Sequence, residues 1–493
     1  MGRRHVLGRW PVPESTRTAV DAIIVGSGPN GLSAAITLAR AGLQVRLIEG
    51  AGTAGGGCRT GDLTRPGFRH DICSAVHPLA ASSPFFRSID LGARGVTLCT
   101  PKVAFAHPLD GGRAAAVTGS VEETAGGLGR DAGAYRRLLG PLVRDVELTL
   151  PEILAPIRSV PRHPLAMARF GLDGLPPVTV LARRLHTEEG RALLAGVAAH
   201  SMLPLSAPVT SAFGLLLTMT AHAVGWPVVE GGSGRLTEAL LAELAALGGE
   251  VETGRWVSSL DELPPARAVL LDLTPRQLIA LAGERLTGLH RAALHRFRYG
   301  PGVCKVDWAL SGPVPWQAAA CREAGTVHLG GTLAEVARSE SEVAAGRLPD
   351  RPYCLVAQPG VVDPTRAPAG QHTLWAYCHV PSGSPADASG LIEAQIERFA
   401  PGFRDLVLAR SVRTAVDMER YNPNYVGGDI NGGAGTLIQT FLRPTPRWNP
   451  YRTPLPGVYL CSSSTPPGGG VHGMCGVNAA RAALADLRIS SPA

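Results

Sequence analysis

The chain has 493 residues, of which 18% are charged, and a formal net charge of +7. Its length allows two or three domains with a large core, and its 60 glycines and 41 prolines indicate a loop-rich α/β protein. The basic residues are spread along the chain without a dense run interleaved with aromatic residues, which argues against nucleic-acid binding. None of the nine cysteines forms a C-x-x-C pair, which argues against a metal site and a dithiol redox enzyme, and favours reduced thiols in the cytoplasm.

The N-terminal residues 1–20 hold four arginines but no apolar run of the length that a secretion signal needs. We therefore predict a flexible basic tail. No later stretch approaches the roughly 20 continuous apolar residues of a membrane-spanning helix, so none is predicted.

The next segment has the pattern of a strand, a glycine turn, a helix and a second strand. Residues 21–25 read Asp-Ala-Ile-Ile-Val, an apolar strand preceded by one aspartate, and residues 32–41 carry apolar side chains at helical spacing. Residues 44–49 form a second strand that ends in Glu49. A carboxylate at that position can accept hydrogen bonds from both hydroxyls of an adenosine ribose.

The glycine turn has the spacing of a dinucleotide-binding fingerprint. Gly26 permits a tight turn, Gly28 permits close approach of a pyrophosphate, and Gly31 permits close packing of helix on strand. The phosphates then lie at the helix N-terminus, where free N–H groups and the helix dipole favour an anion. The predicted dinucleotide contacts of this unit are Gly26, Gly28, Pro29, Asn30, Gly31 and Glu49.

A second glycine-rich loop follows at residues 52–60. Its backbone amides can form a cradle for the same pyrophosphate, and an arginine supplies a fixed charge. The predicted contacts of this loop are Gly55, Gly56, Cys58, Arg59 and Thr60. Further along, Asp71 and His77 either face the cofactor or serve as structural hydrogen-bonding groups, the structural role being the more frequent one.

The strand and glycine pattern returns twice, which predicts one nucleotide-binding domain assembled from separated pieces. A Gly-Gly-Ser-Gly turn at 231–234 precedes an amphipathic helix, and an apolar strand follows at 268–273. Near the C-terminus, a strand at 457–461 leads into a glycine-rich loop and a helix. The predicted nucleotide-binding segments are 21–115, 225–274 and 421–487, and the predicted substrate domain takes 116–224 and 275–420.

Residues 192–229 contain no Asp, Glu, Lys or Arg. Their prolines and hydroxyl side chains disfavour a membrane span, so they form either a helix buried against its neighbours or a helix lining an apolar substrate tunnel. The preceding stretch, 156–185, carries five arginines against one aspartate, interleaved with apolar residues. Such a face is either solvated or rests on anionic lipid, so peripheral membrane contact is left open.

Taken together, these motifs resemble the flavin amine oxidase and phytoene (carotenoid) desaturase superfamily, and more closely the bacterial phytoene-dehydrogenase-like oxidoreductases. Besides the fingerprint, the matching motifs lie at 66–75, 365–370, 395–403, 427–430 and 466–474. The resemblance implies a Rossmann-type FAD-binding domain made of discontinuous segments, with an inserted α+β substrate domain. This chain departs from the family pattern at two positions. Gly57 extends the usual double glycine, and Ser462 stands where many relatives have glycine.

The resemblance also implies that the N-terminus of the C-terminal helix lies near the flavin, where it stabilises the charge of the reduced ring. The further cofactor candidates are Val257, Gly473, Met474 and Gly476, and His472 is a catalytic candidate. By similarity to the flavin amine oxidases, Lys305 reaches flavin N5 through a water. The alternative is that Lys305 and Asp307 lie together on an exposed strand edge.

The expected activity is FAD-dependent removal of hydride from a lipophilic, polyprenoid or carotenoid-like substrate, of desaturase or dehydrogenase type. Because no second nucleotide fingerprint is present, the electrons are expected to pass to oxygen or a quinone rather than to NAD(P). Two alternatives stay open: oxidation of a small amine, and a flavin-free prenyl or lipid-binding chaperone. A cytoplasmic protein is expected, and a homodimer is left open.

Overall fold

The structure is a computed structural model that describes residues 20–156, 160–286 and 288–491. Apart from Val20, the predicted basic tail lies outside these ranges, as does Arg158 of the predicted basic face. The described strands are β1 (Ala22–Val25), β2 (Val45–Ile48), β3 (Thr60–Asp62), β4 (Arg69–Asp71), β5 (Leu98–Cys99), β6 (Val103–Leu109), β7 (Arg113–Thr118), β8 (Val228–Val229), β9 (Glu250–Glu252), β10 (Ala268–Leu271), β11 (Gly302–Leu310), β12 (Ala324–Leu329), β13 (Cys354–Ala357), β14 (His372–Val380), β15 (Val407–Arg413) and β16 (Val458–Leu460). The described α-helices are α1 (Pro29–Arg40), α2 (Pro78–Ser82), α3 (Pro84–Arg87), α4 (Val121–Gly127), α5 (Ala132–Arg144), α6 (Val146–Ile153), α7 (Pro164–Gly174), α8 (Val178–Leu181), α9 (Glu188–Ala198), α10 (Thr210–Val224), α11 (Gly234–Ala246), α12 (Pro275–Ala282), α13 (Gly288–His295), α14 (Ala319–Glu323), α15 (Leu333–Ala344), α16 (Ser389–Phe399), α17 (Ala415–Tyr421), α18 (Leu437–Leu442) and α19 (Met474–Leu487).

Five short strands form a parallel sheet in the order β16-β10-β1-β2-β9. The central strand β1 reads Ala-Ile-Ile-Val and is buried throughout, as a parallel strand covered on both faces requires. Its register aligns Val25 with Ile48 of β2 and with Leu271 of β10, so the three strands end at one edge. The five strands come from separated parts of the chain. The predicted fold class, an α/β protein with a Rossmann-type domain assembled from discontinuous segments, is confirmed.

Helix α1 begins directly at the glycine turn. Gly28 is its N-cap and Pro29 its first residue, a position where the missing proline N–H costs no helical hydrogen bond. Helix α19 packs so closely on α1 that a side chain at position 476 would collide with the Asn30 carbonyl, and Gly476 permits this contact because it has no side chain. The Ser33 hydroxyl donates to the Gly473 carbonyl at 2.6 Å and ties the two helix starts together.

The second sheet has seven strands in the order β15-β11-β14-β13-β12-β6-β7. Its pairings are antiparallel except that β6 runs parallel to β12. The predicted nucleotide-binding segment 21–115 included β6 and the start of β7. The structure corrects this boundary, because the β6–β7 hairpin pairs with β12 in the seven-stranded sheet and not with the parallel sheet.

The two faces of the seven-stranded sheet differ. On one face, residues such as Trp308 and Val356 form a closed apolar core with Ile392 and Ile396 of α16. The other face carries Lys305 and Tyr377, which are direct cross-strand partners and therefore point the same way. This second face is turned toward the cleft described below.

The charge-free residues 192–229 form most of α9, all of α10 and the connection to β8. The residues of α9 from Ala192 to Ala198 are all buried, and α10 is partly buried. Leu217 of α10 borders the cleft, so the segment shows both of the predicted features, core packing and cleft lining. Among the described helices, none combines the length and apolar character needed to cross a membrane.

Candidate functional site

A cleft of about 520 Å³ opens at the edge where β1, β2, β10 and β16 end. Its polar part lies along the glycine turn and Glu49, and its apolar part lies against the seven-stranded sheet. The predicted cofactor residues that border the cleft are Gly26, Gly28, Pro29, Asn30, Glu49, Gly56, Cys58, Arg59 and Val257. The predicted cofactor residues that do not border it are Gly31, Gly55, Thr60, Gly473, Met474 and Gly476.

Close packing at the start of α1 leaves no room for side chains at the glycines. A side chain at Gly56, where φ is +54°, would lie 2.9 Å from the Cα of Gly28. A side chain at Gly28 would lie 2.5 Å from Asp272 Oδ2. Gly31 has the packing role that the fingerprint predicts, since a Cβ there would collide with the Gly26 carbonyl. The two glycine loops therefore lie against each other, and Gly28 and Gly56 both border the cleft. We call these two loops the cradle, and their backbone suits an approaching pyrophosphate.

Glu49 is held in position at the end of β2. Its carboxylate accepts hydrogen bonds from the Ser27 N–H at 3.0 Å, the Ser27 hydroxyl and the Ala51 N–H at 2.8 Å. Arg59 Nη2 lies 3.5 Å from Glu49 Oε1. Val257 and its neighbour Trp256 border the cleft on this side. The result is a fixed carboxylate with an apolar surface beside it, as an adenosine ribose and its base require.

Arg59 is also fixed by its own loop. Its guanidinium donates to the carbonyls of Thr53 at 2.5 Å and Ala54 at 3.2 Å. It lies 5.6 Å from the centroid of the Tyr421 ring. The positive charge predicted for this loop is therefore present at the cleft in a single orientation.

Asp272 is a site residue that the sequence interpretation missed. It follows β10 directly and accepts a hydrogen bond from the Gly31 N–H at 2.9 Å. Burial raises its pKa to about 7 and the charge of Glu49 adds to the rise, while the N–H groups of Gly31 and Gly28 oppose it. A carboxyl group that titrates near neutral pH thus lies at the N-terminus of α1. The sequence did contain a feature that could have identified Asp272, because this residue, like Glu49, directly follows an apolar strand.

Asp71 and His77 have different roles. Asp71 accepts hydrogen bonds from the Ser233 N–H at 2.7 Å, the Thr60 hydroxyl at 2.9 Å and Arg366 at 2.8 Å, and it does not border the cleft. It joins the β3–β4 hairpin to the start of α11. His77 does border the cleft, and neither of its ring nitrogens has a hydrogen-bond partner among the described residues. Burial lowers the His77 pKa to about 4, so the ring is neutral at physiological pH.

Lys305 is buried in an interior strand, so the alternative of an exposed strand edge is wrong. Its ammonium group donates to both carboxylate oxygens of Asp307, at 2.5 and 2.6 Å, and lies 5.2 Å from the centroid of the Trp375 ring. It shares a sheet face with Tyr377, which borders the cleft, but Lys305 itself does not border the cleft. Its contact with flavin stays a prediction.

His472 is buried in the turn before α19. Its Nδ1 accepts from the Met474 N–H at 3.0 Å, and its Nε2 lies 3.2 Å from the Gly468 carbonyl. Burial lowers its pKa to about 4, so the ring is neutral. The ring does not border the cleft, and its contacts shape the turn in which Gly473, at φ +70°, caps α19. The catalytic role of His472 stays a prediction without a cleft contact behind it.

The apolar end of the cleft is a region that we call the chamber. It is bordered by α10, by the loops on either side of that helix and by strands β12, β13 and β14. The chamber residues are His200, Leu217, Trp226, Thr326, Leu355, Trp375 and Tyr377. The rings of Trp375 and Tyr377 stack with centroids 5.8 Å apart and planes 18° apart. His200 Nε2 lies 2.9 Å from His328 Nε2, and burial lowers the His200 pKa to about 3.

Comparison with known proteins first identifies the nucleotide-binding part. Residues 24–89 match the family described as NAD(P)-binding Rossmann-like domain. The chain contains a Rossmann-like domain. The matched range includes the glycine turn, Glu49 and Arg59, which all border the cleft. The predicted dinucleotide-binding domain is therefore confirmed as a Rossmann-like domain.

Beyond the Rossmann-like domain, the likeness extends over nearly the whole chain. The pyridine nucleotide-disulfide oxidoreductase domain-containing protein 2 of Rattus norvegicus is 26% identical over 95% of this chain and 94% of its own length. The 4,4'-diapolycopen-4-al dehydrogenase of Metabacillus indicus is 35% identical over 25% of this chain and 26% of its own length. The solved structure of cyclohexylamine oxidase from Brevibacterium oxydans superposes with a TM-score of 0.58, covering 95% of this chain and 100% of that one, at 16% identity. The resemblance derived from the motifs is confirmed at the level of fold, since the chain shares the fold of the cyclohexylamine oxidase structure over nearly its whole length.

Proposed function

We propose that the protein is an FAD-dependent oxidoreductase that removes hydride from a lipophilic substrate, as a desaturase or dehydrogenase does. The observation that carries this proposal is the continuity of one cleft from the cradle at Gly28 and Glu49 to the chamber at Trp226 and Trp375. When bound, FAD supplies the hydride-accepting chemistry, and the protein contributes binding, orientation and exclusion of water.

The residues of the cradle fit FAD. Gly28 and Gly56 offer bare backbone for a pyrophosphate, and Glu49 is a fixed acceptor for ribose hydroxyls. Asn30 Oδ1 and both ring nitrogens of His77 are buried and have no partner among the described residues, so polar groups of a ligand can satisfy them. We propose FAD rather than NAD(P) because the motifs resemble flavin-dependent families and the sequence shows one nucleotide fingerprint, not two.

The chamber favours an apolar substrate. None of its defining residues is Asp, Glu, Lys or Arg, so a cationic substrate would lose its hydration without gaining a counter-charge. Trp375 and Tyr377 border the cleft, and a polyene or prenyl chain can pack against their aromatic rings. We propose oxygen or a quinone as the electron acceptor.

Oxidation of a small amine is the second candidate. It is favoured by the Trp375–Tyr377 pair, since aromatic surfaces also bind amines, and by the fold shared with cyclohexylamine oxidase. It is disfavoured by the absence of a carboxylate among the chamber residues. A flavin-free lipid carrier would use the same chamber and would leave the cradle empty.

A spectroscopic assay separates these candidates. Purified protein is scanned for flavin absorbance and then mixed anaerobically with polyprenoids, carotenoid precursors, long-chain alcohols and small amines. Bleaching of bound FAD by a lipophilic substrate is the expected result, and subsequent exposure to oxygen or a quinone identifies the acceptor. Bleaching by amines alone would favour the second candidate. Failure to take up FAD at micromolar concentration would refute the enzyme proposal.

We further propose that the substrate is drawn from a membrane surface that the protein contacts peripherally. Helix α7 leaves Leu165 and Leu172 exposed, at 85% and 76% of their surface, and arginines lie along the same stretch. Co-sedimentation with anionic and neutral vesicles tests this proposal. Binding to anionic vesicles that is lost in Leu165→Glu/Leu172→Glu supports it, and equal recovery in the supernatant with and without vesicles refutes it.

A further inference from the structure

Cys58 and Cys73 face each other at the base of the β3–β4 hairpin. The hairpin pairs Thr60 with Asp71 in antiparallel register. Continued by two residues on each strand, that register places Cys58 directly opposite Cys73, on the same face as Thr60 and Asp71. The sequence interpretation missed this pair because the two cysteines are not close in sequence and form no C-x-x-C motif.

Two backbone hydrogen bonds show that the register does continue. The Ile72 N–H donates to the Arg59 carbonyl at 2.8 Å, and the Ser74 N–H donates to the Gly57 carbonyl at 3.0 Å. The cysteine pair lies between these two bonded pairs and therefore occupies a non-hydrogen-bonded position of the ladder. Opposed Cα atoms at such positions are about 4.5 Å apart, within the range of about 4.4–6.8 Å that a disulfide spans.

Side chains on this face of the hairpin do meet. At the next position on the same face, the Thr60 hydroxyl donates to the Asp71 carboxylate at 2.9 Å. Both cysteines are free thiols in the structure and both border the cleft, Cys73 being the more accessible of the two.

The seven-stranded sheet contains a natural comparison. Cys378 is the cross-strand partner of both Cys304 and Cys354. All three side chains are fully buried in the closed core beside α16, away from the cleft. Register alone therefore does not separate the two groups of thiols. Position does, because Cys58 and Cys73 border the cleft and the three core thiols do not.

We propose that Cys58 and Cys73 are a reversible dithiol–disulfide pair in the wall of the cleft, oxidised by a small disulfide of the glutathione class. The proposal is argued from the register and position of the chain's own thiols and not from the proposed substrate or cofactor. A bond between them would join the 55–58 loop to residues 73–77, two parts of the cleft wall that both border the cradle.

The exchange proceeds in two balanced steps. The Cys73 thiolate attacks one sulfur of the small disulfide; that S–S bond breaks and one small thiol leaves with a proton. The Cys58 thiolate then attacks Cys73 Sγ, and the second small thiol leaves. Two protein thiols are oxidised, and one small disulfide is reduced to two thiols. Cys73 attacks first because, although burial raises the pKa of both thiols, a hydrogen bond with Tyr425 and the charges of Lys305 and Arg413 partly offset the rise at Cys73.

The test uses the full-length native protein, incubated with excess oxidised glutathione at mildly alkaline pH and then alkylated and digested. The expected product is a peptide pair joined between Cys58 and Cys73, with two thiols lost per chain and restored by dithiothreitol. Cys304, Cys354 and Cys378 should be recovered alkylated after unfolding. A sample oxidised in denaturant shows that the joined peptides can be detected.

Single variants check the order of the steps. Cys58→Ser should stop at a glutathione adduct on Cys73, and Cys73→Ser should lose the cross-link and react at least several-fold more slowly. Cys99→Ser, a partly buried thiol elsewhere, should form the Cys58–Cys73 link as the wild type does. Circular dichroism confirms that each variant is folded. Absence of the link in the native wild type, together with its appearance in the denatured sample, would overturn the proposal.

Discussion

Replacing Asp272 with asparagine is expected to stabilise the protein at neutral and alkaline pH and to leave its stability unchanged in acid. The carboxyl group accepts a hydrogen bond from the Gly31 N–H, and its pKa is raised to about 7, first by burial and then by the charge of Glu49. Asparagine keeps an oxygen acceptor of the same shape and cannot ionise. The substitution therefore isolates the cost of holding a negative charge at this position.

The sign and size follow from proton linkage. An aspartate in an unfolded chain has a pKa of about 3.9, so between about pH 4 and pH 7 the folded state holds a proton that the unfolded state has released. The contribution of Asp272 to the free energy of unfolding should therefore fall by about 1.4 kcal/mol per pH unit across this window, ~4 kcal/mol in total, whatever the other titrating groups contribute to both proteins alike. The asparagine variant lacks this loss. The difference between the two proteins should grow from near zero at about pH 4 to about 4 kcal/mol at pH 8.

Equilibrium urea unfolding of both proteins, stripped of bound dinucleotide and followed by tryptophan fluorescence at several pH values, measures this difference. Asp62→Asn, which removes an exposed carboxyl at the end of β3, is the matched control and should show no such growth. A difference between Asp272→Asn and wild type that is constant across the pH range would refute the reasoning, since it would mean that Asp272 titrates alike in both states.

Four further outcomes are expected. Glu49→Gln should weaken FAD binding by about 10- to 100-fold in a fluorescence titration, because a charge-assisted hydrogen bond is lost. The control variant Glu250→Gln, on the neighbouring strand β9 and exposed, should bind FAD as the wild type does. Lys305→Met and Asp307→Asn should each lower the free energy of unfolding by ~3–5 kcal/mol, because each leaves a buried charge or polar group without its partner. The double variant should lose less than the sum of the two single losses in urea unfolding, and strict additivity would show that the pair is not coupled. NADH and NADPH should not bleach bound FAD rapidly in stopped-flow measurements, and fast bleaching would reveal a missed nucleotide site. Trp375→Ala should raise KM for the lipophilic substrate several-fold with FAD affinity unchanged, and an unchanged KM would remove Trp375 from the substrate surface.

The local character of the cradle explains why it could be predicted. Gly26, Gly28 and Glu49 lie within one strand–turn–helix–strand unit, and the conformations of that unit depend on nearby residues. The predicted helix and strands agree with α1, β1 and β2 to within a few residues. The cofactor candidates near the C-terminal helix agree less well. Gly476 proved to be a packing glycine between α1 and α19, which depends on how two distant helices meet.

The chamber and the buried pairs could not be predicted in the same way. Trp375 and Tyr377 were visible as residues of an alternating segment, but their place beside Leu355 depends on the register of β13 on β14. Lys305 was predicted as a candidate, and only its interior position in the sheet shows that Asp307 neutralises it in a dry environment.

The sequence by itself determined the nucleotide-binding unit, its assembly from separated segments and the charge-free character of residues 192–229, because glycine conformations, strand–helix periodicity and charge content are properties of short stretches. Tertiary structure alone decided that the 103–118 hairpin belongs to the seven-stranded sheet, that Asp272 reaches the start of α1, and that Cys58 stands opposite Cys73. Each of these depends on strand register or on which chain ends meet at a sheet edge. A shift of one residue in pairing reverses every side chain of a strand, and that choice is made by the packing of the whole domain.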